Sequence, residues 1–241
     1  MEKAISRRAE PKRKKNNNGD YHQGLVEAVL RNERASVYIE MADMYLRLLG
    51  YTEHGLRHVN NVSASAYKIL KKLAFSDKEA GLAAVAGLIH DVGNMLGRHD
   101  HHRTGAILAK EILEELGYGI RDTGTVMMAI MTHEESEGVV PSPVAAALLI
   151  ADKADVHRSR VRKINDIKGD IHDRVNYAVA ESELNVDPSE RVISLNLVID
   201  TRISHVIEYF EIFLSRMKGC REAARSMNAE FQLFINNIRM A

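Results

Sequence analysis

The sequence predicts a mainly α-helical protein that ends in a small segment of mixed α and β structure. Between about residue 25 and residue 162, apolar residues recur every three or four positions, as they do on the buried face of a helix. After about residue 170 the spacing changes, because Ile193, Leu195, Leu197 and Ile199 alternate with other residues, as in a strand with one covered face. A chain of 241 residues is also long enough to enclose a substantial core.

The predicted helices are separated by glycines, prolines or short polar loops. Gly50 and Gly117 follow apolar runs and are good C-cap residues, Asp77 is a suitable N-cap, and Pro141 and Pro143 can open a helix. The approximate bounds of the helical segments are 25–49, 53–73, 77–93, 101–116, 126–133 and 143–162.

The C-terminal segment is predicted to hold two antiparallel strands, a covering helix and a short returning strand. The polar run 187–190 is a turn that would pair the strand at 193–199 with residues 175–186. A helix is expected over 202–227, and the apolar alternation resumes at 231–235. If the last strand is parallel to the second, the crossover between them should be right-handed.

Charge is spread unevenly along the chain. The formal net charge is zero, but residues 1–15 hold seven Lys or Arg against two Glu. Such a segment cannot bury enough apolar surface to offset the cost of ordering, so we expect a disordered arm. The remainder is acidic by difference, so nucleic acid is not an expected partner. The predicted divisions are a basic arm at 1–20, a helical domain at 21–168 and a strand-strand-helix-strand appendage at 169–241.

Cysteine usage and hydropathy indicate the compartment. Cys220 is the only cysteine, which excludes an intrachain disulfide and a thiolate-rich zinc site and fits a reducing environment. No apolar run approaches the roughly 18 residues that a membrane helix needs. We therefore predict a cytoplasmic protein with no membrane partner.

The helix predicted at 77–93 ends in His90 and Asp91, after the apolar residues Val85, Ala86 and Ile89. An imidazole and a carboxylate buried side by side need an opposite charge, a hydrogen bond or a metal ion. A single divalent ion would satisfy both groups. A capped helix end with an incidental His-Asp pair is the ordinary alternative.

Further residues that can bind metals lie on other predicted helices. His54 and His58 are one helical turn apart, and His101 begins a helix that has Gly105 one turn later. His133 ends an apolar run, and Asp152 lies on an otherwise apolar helix. Each could be a cap or a satisfied core group. Together they form an arrangement in which nitrogen and oxygen ligands of a helical bundle converge on one or two divalent ions.

The ordered set His58, His90-Asp91, His101, His133 and Asp152 resembles the HD superfamily of metal-dependent phosphohydrolases. The resemblance spans roughly residues 40–165 and implies an HD-type helical bundle. It implies a first metal ion held by His58, His90, Asp91 and Asp152. It implies a second ion held by Asp91, His101 and His133.

Two ligand assignments stay open, and one position departs from the family. His54 could replace His58, although His-x-x-x-His looks like the cyclic nucleotide phosphodiesterase version, in which the earlier histidine is a proton donor. His102 could replace His101, although the family spacing His-x-x-x-Gly favours His101. Asn94 stands where many members have lysine, which puts a phosphate contact at this position in doubt.

The resemblance implies hydrolysis of a phosphomonoester or phosphodiester of a nucleotide-like small molecule. Two ions bridged by Asp91 can lower the pKa of a shared water until hydroxide is available near neutral pH. His54 would then protonate the leaving oxygen. Imidazole and carboxylate ligands admit iron, manganese, cobalt, nickel or zinc. The basic or polar residues near the ligands that could bind phosphate are Lys153, Arg57, Asn94, Arg98 and Arg158.

A non-catalytic alternative is a regulatory module that senses a nucleotide and acts through the appendage at 169–241. The alternating apolar face of the appendage could bind a second copy of the chain, although covering its own helix is the simpler explanation. Tight nucleotide binding without turnover would favour the regulatory alternative.

Overall fold

The computed structural model describes residues 18–162 and 169–241, with side chains from residue 21 onward. The prediction of a disordered basic arm therefore falls mostly on residues that lie outside the described part of the chain. Within the described ranges there are nine α-helices and four strands. The first seven helices are α1 (Asn18–Arg31), α2 (Glu33–Leu48), α3 (Leu56–Lys72), α4 (Asp77–Ile89), α5 (His101–Glu115), α6 (Ile120–Met131) and α7 (Pro143–Ala154).

Helix α4 is the centre of the helical part. It packs against α1, α3, α6 and α7, and every residue from Ala80 to Ile89 is buried. Its N-cap is Ser76, one residue earlier than the predicted Asp77. The Ser76 hydroxyl accepts a hydrogen bond from the backbone of Glu79, whose carboxylate in turn accepts one from the Ser76 backbone.

Two helices are shorter than the sequence predicts. Helix α3 begins at Leu56 rather than near residue 53, because Gly55 has an extended backbone (φ −89°, ψ −156°) and acts as the N-cap. His54 therefore lies in the preceding loop, where its backbone N–H donates to Asp43 Oδ1 at 2.8 Å. Helix α7 ends at Ala154 and is followed by a 3₁₀ turn, Arg158–Arg160, instead of continuing to residue 162.

The C-terminal part contains helix α8 (Ile171–Ala178), strands β1 (Val179–Asp187) and β2 (Val192–Ile199), helix α9 (Val206–Ser226), and strands β3 (Glu230–Ile235) and β4 (Ile238–Arg239). The sheet order is β1-β2-β3-β4; β2 is antiparallel to β1 and parallel to β3, and β4 is antiparallel to β3. The predicted hairpin, covering helix and returning strand are confirmed.

Two features of this part were not predicted. Residues 171–178 form α8 instead of the start of the first strand, because Asp170 accepts the backbone N–H groups of His172 and Asp173 and caps a helix there. The chain also turns back after β3 to add the short strand β4.

Helix α9 connects the sheet to the helical part. It packs against β3 on one side and against α7 on the other. The Arg174 guanidinium of α8 also donates to Glu208 on α9. Residues of the C-terminal part are thereby brought close to α7, which carries Asp152.

No single helix in the described ranges is both long and apolar enough to cross a bilayer. Helix α4 with its following turn and α5 reach the required length and composition only together, and they are bent by 116° relative to each other.

Candidate metal centre

Four histidines from different helices bring their Nε2 atoms together. His58 lies in α3, His90 follows α4, His101 begins α5 and His133 follows α6. The Nε2 atoms of His58 and His90 are 3.4 Å apart, and those of His101 and His133 are 3.3 Å apart. All four side chains are almost completely buried.

Each of these histidines is oriented through its other ring nitrogen. His58 Nδ1–H donates to Asp155 Oδ2 at 2.6 Å. The other three Nδ1–H groups donate to backbone carbonyls: His90 to Gly87 (3.0 Å), His101 to Arg98 (3.1 Å) and His133 to Ile130 (2.6 Å). In the neutral ring this leaves the Nε2 lone pair directed into the cluster, as metal-binding histidines require.

Three carboxylates, Asp91, Glu134 and Asp152, complete the cluster. Asp152 Oδ1 lies 3.3 Å from His58 Nε2 and 3.6 Å from His90 Nε2. The sequence-based interpretation required Asp152 and His90 to meet, and they do. The groups that could each hold an ion are His58, His90 and Asp152; His90, Asp91 and His133; and His101, His133 and Glu134.

Asp91 lies between the two histidine pairs. Its Oδ2 is 3.4 Å from His90 Nε2 and 3.7 Å from His58 Nε2. Its Oδ1 is 3.5 Å from His101 Nε2 and 4.0 Å from His133 Nε2. One carboxylate thus offers a separate oxygen to each pair.

Electrostatics show that the cluster favours positive charge. Burial lowers the pKa of His90, but the neighbouring Asp91 and Asp152 outweigh it and raise the pKa to about 10. Burial, His90 and Lys153 lower the pKa of His133 to about 3, so this imidazole is neutral. Burial raises the pKa of Asp91, yet the charge of His90 outweighs it and holds that pKa well below its usual range. Metal binding at this position would release the His90 proton, and ionised carboxylates beside neutral imidazoles would then form a suitable ligand set for a divalent transition metal.

A close backbone approach holds the second pair of ligands in place. A Cβ atom at Gly93 would lie 2.0 Å from the His101 carbonyl oxygen and 2.5 Å from the Gly105 nitrogen. A Cβ at Gly105 would lie 3.1 Å from the His90 carbonyl oxygen. Gly105, one turn after His101, thus permits a close approach, and no sequence pattern pointed to Gly93.

Three other predicted site residues surround the cluster. His54 lies outside the ligand set, with its ring centroid 5.3 Å from that of His58. Its Nδ1–H donates to the Thr52 carbonyl at 2.7 Å, and burial and Arg160 lower its pKa well below the usual value. Arg98 Nη1 is 3.1 Å from His101 Nε2.

The third is Lys153, which is 5% exposed. Its Nζ lies 2.9 Å from Asp152 Oδ2, 3.4 Å from Glu134 Oε2 and 3.5 Å from Glu135 Oε2. Burial lowers the pKa of Lys153, but these carboxylates outweigh burial and raise it above the usual value. The ammonium group is therefore permanently charged and is not a proton acceptor at neutral pH.

The structure does not bring the remaining predicted residues into the cluster. Asn94 lies behind Asp91, to whose Oδ1 its amide donates at 2.9 Å. Arg57 makes a two-point contact with Asp155, and the Arg158 guanidinium lies 5.7 Å from the Tyr177 ring centroid. For the open alternative, His102 Nε2 contacts Glu137 Oε1 at 3.0 Å, outside the cluster.

Sequence reasoning missed two acidic residues. Glu134 Oε1 lies 3.3 Å from His101 Nε2 and 3.8 Å from His133 Nε2. Its position directly after His133 was the available signal. Asp155 fixes His58, and the signal there was its position one turn after Asp152.

The fold and this centre agree with comparisons to known proteins. Residues 55–158 match the family model of the HD domain, and these residues contain every cluster ligand named above. This part of the chain is an HD domain, the domain of the HD superfamily of metal-dependent phosphohydrolases.

The chain is also similar to the uncharacterized protein MJ1020 of Methanocaldococcus jannaschii. The two are 26% identical over 162 aligned positions, and the match covers 57% of this chain and 61% of that protein. The match thus spans about three fifths of the relative's length, and the relative's name gives no activity.

Proposed function

We propose that the protein is a metal-dependent phosphohydrolase that cleaves a phosphomonoester or phosphodiester of a small molecule, of a size similar to a nucleotide. The observation that carries the proposal is the position of Asp91, which offers Oδ2 to one histidine pair and Oδ1 to the other. A carboxylate shared in this way supports a centre of two ions.

In this proposal the first ion is held by His58, His90, Asp91 and Asp152, and the second by Asp91, His101 and His133, with Glu134 as a further candidate ligand. The absence of thiolate and the presence of four imidazoles favour iron, manganese, cobalt, nickel or zinc over magnesium. Bound there, the ions would supply a hydroxide nucleophile near neutral pH and neutralise charge on the phosphoryl oxygens.

The chain's own residues would position the phosphoryl group and handle the leaving group. Arg98 Nη1 lies 3.1 Å from His101 Nε2. With that nitrogen serving as a metal ligand, Arg98 would donate to a phosphoryl oxygen of the substrate. His54 would protonate the leaving oxygen from Nε2, because its Nδ1–H is already donated to the Thr52 carbonyl. Burial and Arg160 hold the pKa of His54 well below its usual value, so the imidazolium would form only when the negative charge of the substrate lies beside it.

Lys153 has a supporting role in this scheme. Its three carboxylate contacts balance the charge of Asp152 and Glu134 and fix the orientation of Asp152. It is therefore proposed as a positioning residue rather than a group that touches the substrate.

The proposal is tested by measuring turnover of generic phosphoesters and a nucleotide panel with manganese or iron, for the wild-type protein and for Asp91→Ala. We expect wild-type turnover and its loss in the variant. An Asp122→Asn variant is a matched control, because that carboxylate pairs with Lys78 at 2.7 Å and contacts none of the cluster histidines. Activity that survives Asp91→Ala would refute the proposal.

A regulatory module that senses a nucleotide without cleaving it is the second candidate function. The packing of α9 against α7 favours it, because a change at the metal centre could reach the C-terminal sheet through these helices. Tight nucleotide binding without turnover of any phosphoester would distinguish it from the enzyme.

The proposed function also leads to expectations about the compartment and the binding partner. We expect a cytoplasmic protein whose partner is a phosphorylated small molecule rather than a membrane or nucleic acid. Association through the C-terminal part into a homodimer remains a prediction that light scattering would test.

A further inference from the structure

A cavity of about 330 Å³ lies beside the metal centre, and we refer to it as the arginine cavity. Its wall from the HD domain includes His54, Arg98 and Arg160. Its wall from the C-terminal part includes Asn176 of α8 and Arg216 of α9. Because Arg98 contacts His101 and His54 contacts His58, the cavity adjoins the metal ligands.

Arg160 provides the clearest indication that the cavity holds a ligand. The residue is 6% exposed. Its Nε–H donates to the Glu53 carbonyl at 3.1 Å and its Nη1–H to the Asp155 carbonyl at 2.7 Å, so the guanidinium is fixed. Its buried Nη2 has no hydrogen-bond partner among the described residues. A buried, charged donor without an acceptor is costly, and because Nη2 has almost no accessible surface, an anion in the cavity would satisfy it once the lining shifts to open a path to this atom.

Two further groups share this character. The Arg216 guanidinium lies 4.8 Å from the Phe213 ring centroid and pairs with no carboxylate in the described part of the chain. Asn176 donates through Nδ2 to the His172 carbonyl at 2.8 Å, whereas its buried Oδ1 has no partner within the described ranges. The cavity therefore has an unpaired cation in its lining, Arg216, and one unused donor and one unused acceptor just beneath its surface.

Acidic residues only partly offset these cations. Asp170 and Asp173 also line the cavity. Asp170 already accepts the backbone N–H groups of His172 and Asp173 as the N-cap of α8. Arg98 lies 3.5 Å from Glu134 and Arg160 lies 3.7 Å from Asp155, so Arg216 is the arginine of the lining without a carboxylate partner in the described ranges, and it is the group that would attract an anion.

The lining also limits the shape of the ligand. Phe213 is 2% exposed, and the Tyr51 ring has the Arg98 guanidinium 5.7 Å from its centroid. The Phe213 ring therefore offers no open face on which a base could stack, and the Tyr51 ring, which is 43% exposed, has the Arg98 guanidinium near one face. The volume is at the lower end for small-molecule pockets, so a compact polar group fits better than a nucleobase.

We propose that the arginine cavity binds the leaving group of the substrate, and that this leaving group carries its own anionic group, a carboxylate or a second phosphate, together with a hydroxyl. This inference rests on the proposed phosphohydrolase activity, with His54 at the junction of the cavity and the metal centre. The anionic group contacts Arg216 and, after the lining shifts on binding, Arg160 Nη2, and the hydroxyl then donates to Asn176 Oδ1. The C-terminal part thus sets substrate specificity through Arg216.

The cavity is tested first by binding, without any turnover. The full-length protein, stripped of metal with a chelator, is titrated calorimetrically with inorganic phosphate at pH 7.5. We expect saturable binding that weakens about tenfold in Arg216→Gln and is largely restored in Arg216→Lys. Arg221→Gln changes an exposed arginine of the same helix and should bind as the wild type does. Equal affinity of the wild type and Arg216→Gln would overturn the proposal.

Kinetics then test the role of the leaving group. The metal-loaded protein is assayed with 3-phosphoglycerate and with glycerol 3-phosphate, which differ by a carboxylate in place of a hydroxymethyl group. We expect the ratio of kcat/KM values to favour 3-phosphoglycerate and to fall about tenfold in Arg216→Gln. A variant that slows both substrates equally would contradict the proposal. Absence of wild-type turnover on any phosphoester would reject the proposed function alone, because the phosphate titration tests the cavity independently.

Discussion

The pair of His58 and Asp155 shows how a single side chain outside the ligand set can control the metal centre. Asp155 Oδ2 accepts the His58 Nδ1–H at 2.6 Å, and Arg57 fixes the same carboxylate from behind. Burial raises the pKa of Asp155, but the His58 hydrogen bond and Arg160 outweigh burial and hold that pKa below its usual range. The ionised carboxylate keeps the His58 Nε2 lone pair directed at Asp152 and His90.

Replacement of Asp155 should therefore weaken metal binding without removing a ligand. In Asp155→Asn the amide can no longer accept a charge-assisted hydrogen bond, and we expect Mn²⁺ affinity to fall about 10- to 100-fold. Isothermal titration of metal-free protein would measure the change. Asp122→Asn serves as the control, and unchanged affinity in Asp155→Asn would show that His58 is oriented by other contacts.

Between helices, the closest contact near the site is that of Gly93, in the turn after α4, with the start of α5. The space for a side chain is absent there, because a Cβ at Gly93 would overlap the His101 carbonyl oxygen. Gly124 in α6 is a useful contrast, since a Cβ there would meet nothing within 4 Å.

The two alanine variants should change stability in opposite directions. Gly93→Ala forces backbone atoms apart and should lower the free energy of unfolding by about 3 kcal/mol. Gly124→Ala should raise it by roughly 0.5–1 kcal/mol, because alanine loses less conformational entropy in a helix. Urea unfolding of the metal-free proteins would measure both effects. Similar values for the two variants would mean that the turn moves freely away from α5.

Helices α8 and α9 are joined by a pair of opposite charge. The hydrogen bonds from Arg174 and Ser204 lower the pKa of Glu208 to about 2 from an ordinary value of 4.5. Because the folded-state pKa is the lower one, the stabilisation is complete above about pH 4.5. It is lost as the pH falls toward 2.

Glu208→Gln should therefore destabilise the protein at neutral pH more than at acidic pH. We expect the difference in free energy of unfolding from the wild type to be constant between pH 7 and pH 5 and to shrink below about pH 4.5. Urea titrations at several pH values would reveal this trend. Glu222→Gln alters an exposed pair on α9 and is the control. A difference that does not vary with pH would assign the effect of Glu208 to helix capping alone.

Across the protein as a whole, the metal centre connects elements that are far apart along the chain. Its ligands come from α3, α7 and the ends of α4, α5 and α6. The folded state collects these ligands and the unfolded chain does not, so metal binding should stabilise the fold.

Addition of Mn²⁺ should consequently raise the melting temperature. At a concentration about 100 times the Kd the gain is about 2.7 kcal/mol, which corresponds to roughly 5–10 °C for a chain of this size. Thermal unfolding with and without metal, and after addition of a chelator, would measure the shift. An equal shift in Asp91→Ala would mean that the stabilising ion binds elsewhere.

The sequence by itself determined which residues could bind metal and which elements carry them. Helical periodicity placed His90 and Asp91 at the end of an apolar helix, and alternation at 193–199 predicted the strand that became β2. These patterns are local, because they follow from how a helix or strand exposes one face to the core. The ordered histidines and aspartates were sufficient to indicate the family, although each alone was ambiguous.

The tertiary structure decided which residues of distant segments meet at the metal centre and at the arginine cavity. It separated His54 from α3, because Gly55 caps that helix, and it chose His101 over His102 for the cluster. It also brought Glu134 and Asp155 to the ligands and placed Arg216 beside the cavity. The spacing of His101 and the positions of Glu134 and Asp155 beside other ligands were signals in the sequence, but their contacts and the place of Arg216 depend on how distant helices pack. The identity of the metal ligands can thus be predicted from local sequence patterns. The cavity that would select a substrate exists only after the C-terminal part has folded against the helical domain.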